Sequence, residues 1–115
     1  YINAHGTSTP LNDKTETAAV KYAFLESAQN VSISSTKSYT GHLLGASGAL
    51  ESVICIKALQ DGYLPATIHY QEKDEECDLD IIANDAQVKD IHYAMNNSLG
   101  FGGHNASLIF KKWEE

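Results

Sequence analysis

Val31-Ser32-Ile33-Ser34-Ser35-Thr36-Lys37-Ser38-Tyr39-Thr40-Gly41-His42 opens as a short β-prone run and ends on a histidine beside a glycine. The next segment, Ala46 to Gln60, reads as a helix that is apolar nearly all round (Leu50, Val53, Ile54, Ile56, Leu59), which predicts burial on most of its faces. Gly62 and Pro65 supply its stop. A strand, a polar loop and a buried helix in direct succession are the repeating unit of a layered α/β domain.

Upstream, Tyr1-Ile2-Asn3-Ala4 reads as the end of a buried strand and leads into a second histidine loop, His5-Gly6-Thr7. A chain that starts inside a core strand suggests a fragment or the tail of a longer one. Asp13-Lys14-Thr15-Glu16 offers a capping-box pattern, and Ala18, Ala19, Tyr22, Ala23 and Leu25 recur at helical spacing. A helix over roughly 13–27 is therefore predicted. Downstream, the charge-dense run Gln71 to Asp78 reads as an exposed loop, and Leu79 to Ala83 as a strand. Tyr93 to Ser98 and Ala106 to Phe110 are strands joined by Gly100-Phe101-Gly102-Gly103, an antiparallel hairpin. The expected fold is α/β, with a mixed sheet that ends in that hairpin.

Bulk properties narrow the function classes. The 115 residues carry a net charge of −7, with 43% hydrophobic and 20% charged residues, as expected of one globular domain or part of one. That acidic balance argues against nucleic acid and against a basic membrane-surface patch. No signal peptide and no apolar run approaching ~18 residues is present, so no membrane partner is expected. Cys55 and Cys77 make neither a disulfide framework nor a CxxC metal pair, which suggests a reducing, cytoplasmic setting.

His5 and His42 are the leading candidates for chemistry. Each sits in a turn rich in glycine and hydroxyl residues at an element terminus, where neutral imidazole can donate to a developing oxyanion or take a proton near neutral pH. A metal site competes with this reading, but His69, His92 and His104 fall at no ligand spacing. Lys37 is paired in this reading with Glu51, a carboxylate on so apolar a helix that it needs a partner, and hydroxyls of Ser34, Ser35 and Thr36 lie beside it. Gly41, Gly45 and Gly48 would allow close approach at the helix start. Thr7 and Thr9 can hydrogen-bond an amide-containing substrate. Phe101, a large apolar residue among glycines, reads as a mobile aromatic lid, with simple packing under the hairpin as the alternative. Cys55 lies in the apolar helix and Cys77 among acids, so neither is a credible nucleophile.

Asn3-Ala4-His5-Gly6-Thr7-Ser8-Thr9, Ser35-Thr36-Lys37-Ser38-Tyr39-Thr40-Gly41-His42 and Asn97-Ser98-Leu99-Gly100-Phe101-Gly102-Gly103 together resemble the β-ketoacyl-[acyl-carrier-protein] synthases, most of all the elongating, synthase II type. The resemblance covers essentially the whole chain. It implies a thiolase-like α-β-α-β-α fold of two related halves, of which residues 1–115 are the C-terminal part of the second. The half that carries the nucleophilic cysteine would be absent, and the fragment alone inactive. The implied reaction is a decarboxylative Claisen condensation of acyl-enzyme with malonyl-carrier protein. On this resemblance His5 and His42 are the catalytic histidines, Lys37 tunes them, and Glu51 supports Lys37. Thr7 and Thr9 contact the pantetheine arm, and Phe101 gates the acyl pocket. A structural monovalent cation is implied at Asn3, Glu51 and Asn96, with backbone near Asn97. No other cofactor is implied, since substrates ride on the phosphopantetheine of acyl carrier protein, the expected partner alongside homodimerisation. His42 favours the elongating class, because coenzyme A-using initiators carry asparagine there and thiolases cysteine. Leu99 and His104 depart from the phenylalanine and threonine common at those places, which bears on acyl-chain preference. The alternatives are a polyketide ketosynthase and a non-catalytic chain-length-factor-like subunit.

Overall fold

The computed structural model describes all residues, 1–115. Five strands form one sheet: β1 (Ile2–Asn3), β2 (Ser32–Ser34), β4 (Asp80–Ile81), β6 (Tyr93–Leu99) and β7 (Asn105–Lys111), in the order β4-β2-β1-β6-β7. Two short strands, β3 (Tyr63–Leu64) and β5 (Gln87–Val88), pair antiparallel beside it. β1 lies at the centre, parallel to β2 (Ile2 opposite Ile33) and to β6 (Ile2 opposite Met95). β2 and β4 are also parallel, and β6 and β7 form the predicted antiparallel hairpin.

One helix covers each face. Strand alternation sends Ile2, Ala4, Ile33 and Met95 to the side of α1 (Pro10–Phe24), where they pack with Val20, Ala28 and Leu79. Tyr1 and Ala94 point the other way, to α3 (Ser47–Asp61), and join Cys55, Ala58, Leu59, Leu64 and Ile82. Between β2 and α3 lie a single helical turn, α2 (Lys37–Thr40), and the His42 loop.

Four expectations are corrected. The first helix starts at Pro10, with Thr9 as a cap residue in extended conformation, and gives way after Phe24 to a 3-10 turn over Leu25–Asn30. Proline has no N–H to lose at that position and its φ suits the first turn, so it begins the helix ahead of the Asp13 pattern. The buried face of α1 is Glu16, Thr17 and Val20, whereas Ala18, Ala19, Tyr22, Ala23 and Leu25 face outward. Glu16 is inside because backbone donors wait there for it, described below. Finally, α3 is buried along a single stripe, Ser47, Glu51, Cys55, Ala58 and Leu59, while Val53 and Ile56 are exposed. An i, i+4 stripe is the whole contact that one sheet can make with one helix. Gly62 does end α3, in left-handed conformation at φ 62°. The predicted strand over Leu79 to Ala83 is shorter, only Asp80–Ile81.

Candidate active site

The ladder of β1 ends where Ala4 donates to the carbonyl of Ser34 at 2.9 Å. The next two backbone donors turn to a side chain instead. His5 N–H and Gly6 N–H donate to Glu16 Oε1 and Oε2 at 2.9 and 3.0 Å. Gly6 takes φ 42°, and a Cβ there would lie 2.5 Å from the Cβ of Ser35, whose hydroxyl donates to the Gly6 carbonyl at 2.7 Å. Only glycine permits so close an approach. These contacts fix His5 at the tip of the central strand, with its ring buried.

His42 arrives from the loop after α2. The two rings meet edge to face, centroids 5.4 Å apart at 83°. Leu44 N–H donates to His42 Nδ1 at 3.0 Å, and Ser47 Oγ lies 3.1 Å from the same nitrogen. An amide can only donate, so Nδ1 of the neutral ring is the acceptor and the proton resides on Nε2. Ser47, the first residue of α3, also accepts from Leu43 N–H at 2.8 Å, which ties the loop to the helix. His42 thus presents Nε2–H from an open loop to a space beside His5.

Lys37 and Glu51 form the predicted pair, 2.5 Å apart and almost fully buried. Lys37 does not use its hydroxyl neighbours. Thr36 accepts from Asn3 Nδ2 at 2.9 Å, Ser34 meets Tyr1 at 2.7 Å, and Ser35 serves Gly6. The pKa of His5 is lowered, first by burial and then by Lys37 and His42, which keeps the ring neutral near pH 7.

Asn3 and Asn96 sit opposite each other in β1 and β6, on the α3 side of the sheet. Asn96 donates to the Gly48 carbonyl at 3.3 Å, one turn before Glu51. Asn3 Oδ1, Glu51 Oε2 and Asn96 Oδ1 are all buried and carry no hydrogen-bond partner. The side chain of Asn97 points to the other face, towards Glu16.

Thr7 and Thr9 follow His5 in sequence, and their hydroxyls bond each other at 3.1 Å near the surface. Phe101 stands apart, 89% exposed in a turn with Gly102 and Gly103 at φ 78° and 82°. It does not pack under the hairpin. Of the three glycines near α3 only Gly48 has a close neighbour, Ser98 Oγ, 3.3 Å from where its Cβ would be; Gly41 and Gly45 have none. Cys55 is fully buried, and burial pushes its thiol up to about 11. The thiol of Cys77 is also raised, mainly by burial.

Residues 1–71 match the family described as beta-ketoacyl synthase, C-terminal domain. That match takes in His5, Lys37, His42 and Glu51. The chain belongs to the β-ketoacyl synthases. It is 56% identical over 114 residues, 99% of its length, to 3-oxoacyl-[acyl-carrier-protein] synthase 2 of Staphylococcus aureus (strain COL), and 51% identical to the enzyme of that name from Synechocystis. This β-ketoacyl synthase chain spans 28% of the Staphylococcus protein and 27% of the Synechocystis one. Among solved structures it matches a β-ketoacyl synthase from Burkholderia phymatum (42% identity, TM-score 0.91, 99% of this chain and 28% of that one). It also matches a type II polyketide ketosynthase solved with its acyl-carrier protein (41% identity, TM-score 0.95, 98% and 28%). The α1, sheet and α3 layers are accordingly the C-terminal half-domain of the thiolase-like fold.

Two residues that hold the histidine loops are not singled out by the sequence. Glu16 fits the capping-box pattern in sequence, and Ser47 belongs to no motif there. A carboxylate on the same helical stripe as Val20 was the available signal for the first.

Proposed function

We propose that the protein carrying this chain is an elongating β-ketoacyl-[acyl-carrier-protein] synthase of fatty-acid synthesis, with residues 1–115 supplying the decarboxylation and oxyanion machinery. The observation that carries this reading is the edge-to-face pair of His5 and His42, with His42 fixed as the Nε2–H tautomer. Neither cysteine of the chain is suited to be the nucleophile, so the acyl thioester is formed on a cysteine elsewhere in the protein. Malonyl thioester then loses carbon dioxide, and the electron pair of the broken C–C bond becomes an enolate. The enolate oxygen accepts hydrogen bonds from the histidines, which suit that charge only while one ring nitrogen still carries a proton. The enolate carbon attacks the acyl carbonyl, the C–S bond breaks, and the cysteine leaves as thiolate. The product is a 3-oxoacyl chain on the carrier.

In this reading Lys37 holds a positive field over His5, Glu51 keeps it in place, and Thr7 and Thr9 meet the pantetheine arm. The exposed Phe101 gates the acyl pocket. Acyl carrier protein is the partner, the enzyme is a cytoplasmic homodimer, and no organic cofactor is used. The orphaned oxygens of Asn3, Glu51 and Asn96 suit a monovalent cation, because they are hard donors and the one carboxylate among them is already paired with Lys37 through its other oxygen. Such an ion would hold α3 against the sheet; it takes no part in bond making.

The polyketide reading is favoured by the TM-score of 0.95 to a polyketide ketosynthase, but identity is lower there, 41% against 56%. Retention of both histidines and Lys37 speaks against a non-catalytic chain-length-factor role. The test is single-turnover chemistry in the full-length protein. His5→Ala and His42→Ala should each slow malonyl decarboxylation by about 10²–10³ while acyl transfer to the cysteine survives. Decarboxylation at the wild-type rate in both variants would refute the assignment.

A further inference from the structure

Glu16 is a buried carboxylate on α1 with no Lys, Arg or His at its oxygens. Its partners are all neutral N–H groups. The main chain of His5 and Gly6 donates at 2.9 and 3.0 Å, and the side-chain amides of Asn12 and Asn97 lie at 3.4 and 3.5 Å. Burying a charge is costly unless several donors meet it. Here the cost is offset by two donors that the sheet leaves unpaired, at the point where β1 stops and the chain turns through Gly6 and then Ser8, at φ 42° and 62°. No other acceptor takes these two amides.

We infer that Glu16 is a positioning residue for His5, acting through the main chain: the two-pronged acceptance of His5 N–H and Gly6 N–H sets where the strand ends and therefore where the imidazole is aimed. Glu16 does not touch the ring. Burial, Lys37, His42 and Asp13 shape the titration of His5, and Glu16 is not among the causes. The fourth donor, Asn97, lies on β6, and Ser107 of β7 donates to its Oδ1 at 2.7 Å. The His5 loop is thereby referenced to the strand that leads into the Phe101 turn as well as to α1.

The inference rests on the function proposed above, and the experiment separates the two. In the full-length protein, wild type, His5→Ala, Glu16→Gln and Glu16→Ala are compared for malonyl decarboxylation, for acyl transfer to the cysteine, and for thermal stability. Glutamine keeps one acceptor but turns an NH₂ towards the other amide. A misplacement of about 1 Å costs on the order of 10²-fold in rate. Decarboxylation should therefore fall roughly 10²-fold in Glu16→Ala and recover part of that in Glu16→Gln, with acyl transfer little changed per folded molecule. Equal losses in both steps that track the folded fraction, or wild-type decarboxylation in Glu16→Gln, would overturn the inference. If His5→Ala, like His42→Ala, decarboxylates as fast as wild type, it is the proposed function that fails, whatever the Glu16 variants do.

Discussion

The two faces of the central sheet are made by the same strands and could hardly differ more. Towards α1 the core around Ile2, Ala4, Val20, Ile33 and Leu79 is apolar; towards α3, beside the site, lie Asn3, Ser34, Thr36, Lys37, Glu51 and Asn96, all buried. The strand period of two produces the contrast, since Ile2 and Asn3, Ile33 and Ser34, and Met95 and Asn96 are neighbours in sequence and opposed in space. The apolar core on the α1 side holds the layers together without directional demands, and only at the strand end, where Glu16 meets the amides of His5 and Gly6, does that side turn polar. The polar face holds groups in directions, at the cost of desolvation and of three oxygens left without partners.

The largest effect should come from unbalancing the polar face. Glu51→Ala leaves Lys37 buried without its counter-charge, and full-length protein should lose about 3–5 kcal/mol in chemical denaturation. A paired Lys37→Met, Glu51→Met replacement should regain most of that stability yet leave condensation impaired. Recovery of activity as well would mean that the pair serves packing alone. On the apolar face, Ile33→Val should cost about 0.5–1.5 kcal/mol, with condensation per folded molecule unchanged. A selective loss of decarboxylation there would dissolve the distinction between the faces. The smallest stability effect belongs outside both. Phe101 is exposed, so Phe101→Ala should shift stability by no more than about 0.5 kcal/mol. Turnover of long acyl chains should drop relative to short ones, and an unchanged chain-length profile would remove the gate.

Much of this could be read in advance, and for a physical reason. The β2 strand, the His42 loop, α3 and the β6–β7 hairpin are local patterns, specified by residues within a few positions of each other. The Lys37–Glu51 pair was legible because a carboxylate on an apolar helix has few places to go. The cradle of Glu16 was not, because its donors are backbone amides left over by a strand ending, and unpaired amides leave no mark in a sequence. The buried face of α1 is hidden for the same reason: Ala18, Ala19 and Tyr22 have helical spacing, but Glu16 has the backbone donors. The face-to-face setting of Asn3 and Asn96 depends on a parallel pairing between residues at opposite ends of the chain, which no local window contains.

That pairing also bears on how the molecule is assembled. β1 has only two residues, yet it sits between β2 and β6, so Ile2 must find both Ile33 and Met95. Closing the second loop, roughly three times the first, adds about 1 kcal/mol of chain entropy. The hairpin and the helices can form within their own neighbourhoods, whereas the central strand can be seated only after β6 exists to receive it. His5 follows β1 directly, so the strand that carries it is flanked on both sides only once β6 is in place.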